Sequence, residues 1–184
     1  NYLQTESGVV PDVLWNCCQA GVGTGIKRCY CIVDVLGARE PNEERWSGGY
    51  TRDRLFHDPL GLCGYLAAVT EKVRMATAIL ILPQRQTVLV AKQAAEVDVL
   101  SRGRLTLGMG IGWNEVEFVA LNEGFRNRAR RFEAQFEVLR ALWPNELITF
   151  EGKYHTLNDA ALTPLPVQHT IPLRIGASDD VAVQ

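Results

Sequence analysis

Residues 103–113, GRLTLGMGIGW, place glycines at 108, 110 and 112, just past a run with strand character. Alternate glycines next to a strand end suggest a phosphate-binding loop. A dinucleotide fingerprint, however, needs G-x-G-x-x-G running into a helix, with an acidic residue about 20 positions on. Here the third glycine arrives one residue early. Side chains alternate across a strand, so glycines at every second position clear a slot along one face. Such a slot suits a flat ring lying against backbone, with Trp113 and Asn114 at its rim. The same glycines would equally relieve crowding inside a barrel or against a packed helix. The segment Gly176-Ala177-Ser178-Asp179-Asp180 is similar in kind. Backbone N–H groups and the Ser178 hydroxyl at a helix start can hold a phosphate, or Ser178 can simply cap the helix.

Other chemistries find little support. Cys17, Cys18, Cys29, Cys31 and Cys63 include no C-x-x-C pair, and the chain has three histidines, so buried free thiols are expected and no metal site. A net charge of −2 gives no general attraction for nucleic acid or for anionic membrane. The arginines at 126, 128, 130 and 131 read as a solvated helix face. No apolar run reaches the ~18–20 residues of a membrane span, and residues 1–20 lack the pattern of a signal peptide. A cytoplasmic protein acting on a small molecule is expected, without nucleic acid or membrane as a partner.

The elements that must position these residues alternate from residue 58 onward. VRMATAILIL (73–82) is continuously apolar and reads as a strand buried on both faces, ended by Pro83. TVLVAKQAAEVDVLSRG (87–103) follows as a helix with Val88, Ala91, Ala95, Asp98 and Val99 at helical spacing. A second strand occupies 104–111. Asn114 with Glu117 reads as a capping box opening a long helical stretch to Trp143, with a stripe of Phe132, Phe136, Leu139 and Trp143. ITFEGKYHTL reads as a hairpin turning at Glu151-Gly152, and 172–176 as a further strand. Strand and helix in alternation, with short connections, predict parallel pairing through right-handed crossovers. In the first 57 residues only RCYCIVDVL (28–36) reads as a strand.

Residues 58–178 resemble the luciferase-like monooxygenase superfamily of flavin- and deazaflavin-dependent enzymes. The resemblance rests on DPLGLCGYLAAVTEKVRMATAILILPQR, VLVAKQAAEVDVLSRGRLTLGMGIGWNEVEF and FEGKYHTLNDAALTPLPVQHTIPLRIGAS, in the family's order and spacing. The form GxGxGWNEVEF is most similar to the coenzyme F420-dependent oxidoreductase branch. The luciferase branch has an arginine where this chain has Ile111. The resemblance implies an α/β fold of the TIM (β/α)8-barrel type, here a single domain forming a partial barrel of about five strands, and a homodimer. A full barrel takes about 250 residues, so a C-terminally incomplete barrel is expected.

The same resemblance implies that the coenzyme ring lies at the C-terminal mouth. A non-prolyl cis peptide would support it, and the matching bond is Ala78–Ile79. Fourth-strand contacts fall on Gly110, Ile111, Gly112, Trp113 and Asn114, and phosphate contacts on Gly176, Ala177 and Ser178. Glu115, a carboxylate at the mouth of the fourth strand, is the candidate for proton transfer, although a first-turn carboxylate also stabilises its helix. His57 is a secondary candidate. An Asp-His pair common in the family has only Asp34-Val35 as its match. The expected activity is hydride transfer between coenzyme F420 and an organic substrate. The alternatives are an FMN-dependent monooxygenase using oxygen, and a non-catalytic barrel homologue.

Overall fold

A computed structural model describes residues 2–3, 27–31, 35–36 and 56–176. Among the described residues five strand positions run parallel in chain order. β1 (Tyr2–Leu3) pairs with β2 (Arg28–Cys31), which pairs with β3 (Arg74–Thr77). β3 and the short β4 (Leu80–Ile81) both pair with β5 (Leu105–Gly110), at Met75–Leu105 and Leu80–Met109. The offset between partners changes from 30 residues to 29 across Ala78 and Ile79. β3 and β4 are therefore one barrel strand interrupted by a bulge of one extra residue. β5 continues to β8 (Leu173–Ile175), also in parallel, and an antiparallel hairpin of β6 (Ile148–Glu151) and β7 (Thr156–Ala160) precedes it.

Parallel strands have to be joined by crossovers, and the helices supply them. α1 (Pro59–Val69) packs on α2 (Thr87–Leu100), and α2 on α4 (Arg128–Leu142); α3 (Glu115–Ala120) sits between β5 and α4 in sequence. The core lies between these helices and the sheet. Leu105, Leu107 and Met109 join it from one face of β5, while Thr106, Gly108 and Gly110 alternate to the other. Asp58 caps α1, its Oδ2 accepting from Gly61 N at 2.9 Å. Trp143, which closes α4, donates from Nε1 to Ala91 O on α2 at 3.1 Å.

Arg104 locks the end of the sheet away from the mouth. All five of its guanidinium hydrogens are used, on the carbonyls of Ser101, Val73, Ala67 and Thr70 and on Thr70 Oγ1, at 2.6–3.0 Å. Its pKa is lowered from the ordinary arginine value, mainly by burial and then by Arg102.

The parallel strands at 73–82, 104–111 and 172–176 are present as expected, with one interruption. Four expectations need correction. The apolar run 73–82 is two strands, because the chain bulges at Ala78–Ile79. The helical stretch from Asn114 to Trp143 is two helices, separated by a turn at 121–127 in which Asn122 takes a φ of +58°. Val88 is exposed, and Val90, Ala94 and Val97 are buried with Ala91 and Ala95. Strand β2 is described over Arg28–Cys31, and residues 35 and 36 lie outside any strand. Cys29, Cys31 and Cys63 are buried and reduced, as expected, with the sulfurs of Cys31 and Cys63 3.6 Å apart; Cys17 and Cys18 lie outside the described residues.

Candidate functional site at the C-terminal ends of the strands

Because the strands are parallel, Cys31, Ile81, Gly110 and Ile175 all end at the same side of the sheet. The Ala78–Ile79 bond, which the resemblance singled out, is cis. Its neighbours explain the glycines. A Cβ on Gly110 would overlap Cδ1 of Ile79, and one on Gly176 would stand 2.9 Å from Ile79 Cγ2. A Cβ on Gly108 would overlap the carbonyl oxygen of Thr77, whose hydroxyl donates to Gly108 O at 2.6 Å. The slot expected along this face is thus filled by protein. Gly108 admits the backbone of β3, and Gly110 with Gly176 admits the half-buried side chain of Ile79. The space left by the glycine side chains is taken by Ile79 and by the Thr77 carbonyl. Gly112 has a φ of +76°, where a side chain is strained, and its missing Cβ would meet Ile81 at 2.6 Å.

The loop after β5 is held from behind. Arg128 donates from Nε to Gly112 O at 3.0 Å, and its guanidinium lies 3.9 Å over the ring of Phe125. Phe125 in turn meets the fully buried Phe118 edge to face, with centroids 5.4 Å apart. Asn114 caps α3, its Oδ1 accepting from Val116 N at 3.2 Å. Its Nδ2 is buried and has no hydrogen-bond partner among the described residues. Ile111 and Trp113 are exposed at the rim, and Glu115 is exposed at the first position of α3.

Glu117 does not close the capping box. It is 2 % exposed, and its carboxylate turns away from its own helix start. Oε1 accepts from Val35 N at 2.9 Å and Leu36 N at 3.0 Å, and Oε2 accepts from Gln84 Nε2 at 2.8 Å. Sequence reasoning had assigned it only to the cap. The available signal was its place beside Phe118 on the buried side of a short helix, with Glu115 on the exposed side.

The structure brings Ala78, Ile79, Gly110, Ile111, Gly112, Trp113, Asn114, Glu115 and Gly176 to one end of the sheet. His57 stands just before α1, half-buried, with Nε2 buried and lacking a partner among the described residues. Next to it Asp58 pairs with Arg85 at 2.8 Å, joining α1 to the turn after β4. Ala177, Ser178 and Asp34 lie outside the described residues. An orphaned buried donor on Asn114, an apolar floor at Ile79 and the exposed residues Ile111 and Trp113 fit a flat, partly polar ring.

The sequence profile of the family described as luciferase-like monooxygenase matches residues 43–184. The chain belongs to the luciferase-like monooxygenase family. An FMNH2-dependent dimethylsulfone monooxygenase of Pseudomonas putida is 33% identical over 131 residues, 70% of this chain and 36% of that protein. Two solved structures share the fold. Monooxygenase RslO1 from Streptomyces bottropensis has a TM-score of 0.76 at 21% identity, covering 91% of this chain and 47% of its own. The coenzyme F420-dependent tetrahydromethanopterin reductase of Methanopyrus kandleri has a TM-score of 0.72 at 17% identity, covering 95% and 49%. The chain spans half or less of the length of each. The architecture of a partial TIM barrel, with five parallel strand positions, agrees with these neighbours. Among the described residues no helix is long and apolar enough to cross a membrane.

Proposed function

We propose that the chain is part of an oxidoreductase that moves a hydride between coenzyme F420 and a small organic substrate. The observation that carries the reading is the mouth itself. Ile79 offers an apolar floor, the backbone of Gly110, Ile111 and Gly112 runs beside it, and the buried Nδ2 of Asn114 lacks a partner. An unmet buried donor is costly, and a polar edge of a bound ring would meet it. When bound, the coenzyme supplies the hydride chemistry.

The chain's own residues bind, orient and shield. Ile79 and Ala78 would support the ring, and Asn114 would fix its rotation. Trp113 and Ile111 would exclude water from the rim. Gly176, Ala177 and Ser178 are assigned the phosphate, with backbone N–H groups and a hydroxyl as donors. Glu115, exposed on the first turn of α3, is assigned a proton at the substrate. The same reading makes the protein a homodimer, supported by the family resemblance.

F420 is preferred to FMN because Ile111 stands where the luciferase branch places an arginine. Loss of one charge-assisted phosphate contact should weaken FMN by ~1.5–3 kcal/mol, roughly ten- to a hundredfold. The F420 phosphate, which this argument requires another group to hold, is assigned to Gly176, Ala177 and Ser178. The second reading is an FMN-dependent monooxygenase, favoured by the 33% identity to the P. putida enzyme. Fluorescence titration of the purified protein with both coenzymes tests the order. Tighter F420 binding is expected; equal or tighter FMN binding reverses the order, and binding of neither removes both.

A further inference from the structure

The mouth is built from strand ends, and β5 ends at Gly110. The segment after β2 has left its strand by residues 35 and 36, yet both backbone N–H groups end on one carboxylate oxygen of Glu117. The other oxygen takes Gln84, which follows β4. One side chain on α3 therefore ties together segments following three different strands.

Helix stabilisation alone does not account for it. A first-turn carboxylate acts on the helix N-terminus from solvent, and Glu115 already stands there exposed. Glu117 is buried, and among the described residues no lysine or arginine pairs with it. Burying a carboxylate against neutral donors is costly, and three short hydrogen bonds offset that cost. What they fix is the position of Val35 and Leu36, whose side chains remain exposed beside the mouth.

The geometry points to Glu117 as a positioning residue that holds the Val35–Leu36 segment as an apolar wall at the mouth. The wall's role toward a bound ring rests on the coenzyme reading, and the clamp itself is independent of it. Both carboxylate oxygens of Glu117 are taken by Val35, Leu36 and Gln84, so it acts through the wall. Glutamine at 117 keeps an oxygen for the two backbone donors, and its amide can donate to Gln84 Oε1, which is buried and unpartnered among the described residues. Alanine keeps nothing.

Two measurements test the clamp. Amide hydrogen exchange at Val35 and Leu36 is compared in the wild type, Glu117→Ala and Glu117→Gln, without coenzyme. The alanine variant should exchange there about tenfold faster or more, and the glutamine variant within about threefold of wild type. Should the alanine variant not fold, Glu117→Asp, which withdraws the carboxylate by one methylene, should show the same acceleration to a smaller extent. With FMN as the probe, iodide should quench the bound ring more strongly in the alanine variant, while FMN affinity changes less than about threefold in either variant. Unchanged exchange at 35 and 36 in the alanine or aspartate variant overturns the proposal. Equal acceleration in the glutamine variant also overturns it. Failure of FMN and F420 to bind the wild type defeats the coenzyme reading alone, and the exchange comparison still decides the clamp.

Discussion

A Cβ added to Gly110 would overlap Cδ1 of Ile79, the residue that follows the cis bond at the interrupted strand. The obstructing atom is the far end of a flexible side chain, so Ile79 can turn aside at some cost. Gly110→Ala is expected to cost about 1–2 kcal/mol in stability and to weaken coenzyme binding about tenfold or more. Combining it with Ile79→Ala removes the obstruction, and the two changes should couple favourably by about 1 kcal/mol. Urea unfolding of the four proteins of the cycle measures this; strict additivity rejects the contact.

Gly108 should behave differently, although it belongs to the same glycine pattern. Its missing Cβ faces the carbonyl of Thr77, which is backbone and cannot rotate aside. The Thr77 hydroxyl also holds Gly108 O at 2.6 Å, so separating β3 from β5 breaks that bond as well. Gly108→Ala should cost about 3 kcal/mol or more, clearly above Gly110→Ala. Equal melting temperatures for the two variants would count against this reading of the pattern.

The end of the sheet away from the mouth offers a control. Arg104→Ala leaves carbonyls of Ala67, Thr70 and Val73 without their donor, and a loss of about 3 kcal/mol or more is expected. Lysine cannot reproduce five hydrogens in a planar fork, so Arg104→Lys should recover less than half of it. Coenzyme affinity of whichever variant folds should stay within about twofold, because Arg104 lies at the start of β5 and the mouth lies past its end. A large change in affinity at unchanged stability is the contrary result.

Much of the scaffold was legible because its signals are local. Continuous apolar runs ended by Pro83 and by glycines mark buried parallel strands, and the stripe Phe132, Phe136, Leu139 and Trp143 marks α4. The bulge at Ala78–Ile79 was reachable only through resemblance, since an apolar run has the same composition whether or not its backbone is continuous. The glycine slot was half right. Alternation revealed which face is cleared, but the occupant, Ile79, comes from a neighbouring strand position. Glu117 was misread for the same reason: its partners are 33, 81 and 82 residues away in sequence. Short-range spacing sees the cap, and only the fold supplies Val35, Leu36 and Gln84.

The hairpin carries a pH-dependent contact far from the mouth in sequence. His155 Nε2 lies 2.6 Å from Thr87 Oγ1, which also accepts from Gln135 Nε2 at 3.0 Å. With one hydrogen and two lone pairs, the Thr87 hydroxyl can accept from Gln135 and still either donate to Nε2 or accept from Nε2–H, as the imidazole tautomer dictates. Burial, and then the Arg131 charge, lower the pKa of His155 from the ordinary value of 6.5. The sign follows from proton counting: between the lowered folded value and 6.5 the unfolded chain binds more protons than the folded one. Stability from this contact is therefore full above pH 6.5 and declines as the pH falls from there to the folded value. Urea unfolding of the wild type and of His155→Gln across this range should show a steeper loss on acidification in the wild type. Parallel pH profiles for the two proteins would mean that His155 titrates alike folded and unfolded, and that the Thr87 contact does not discriminate between its protonation states.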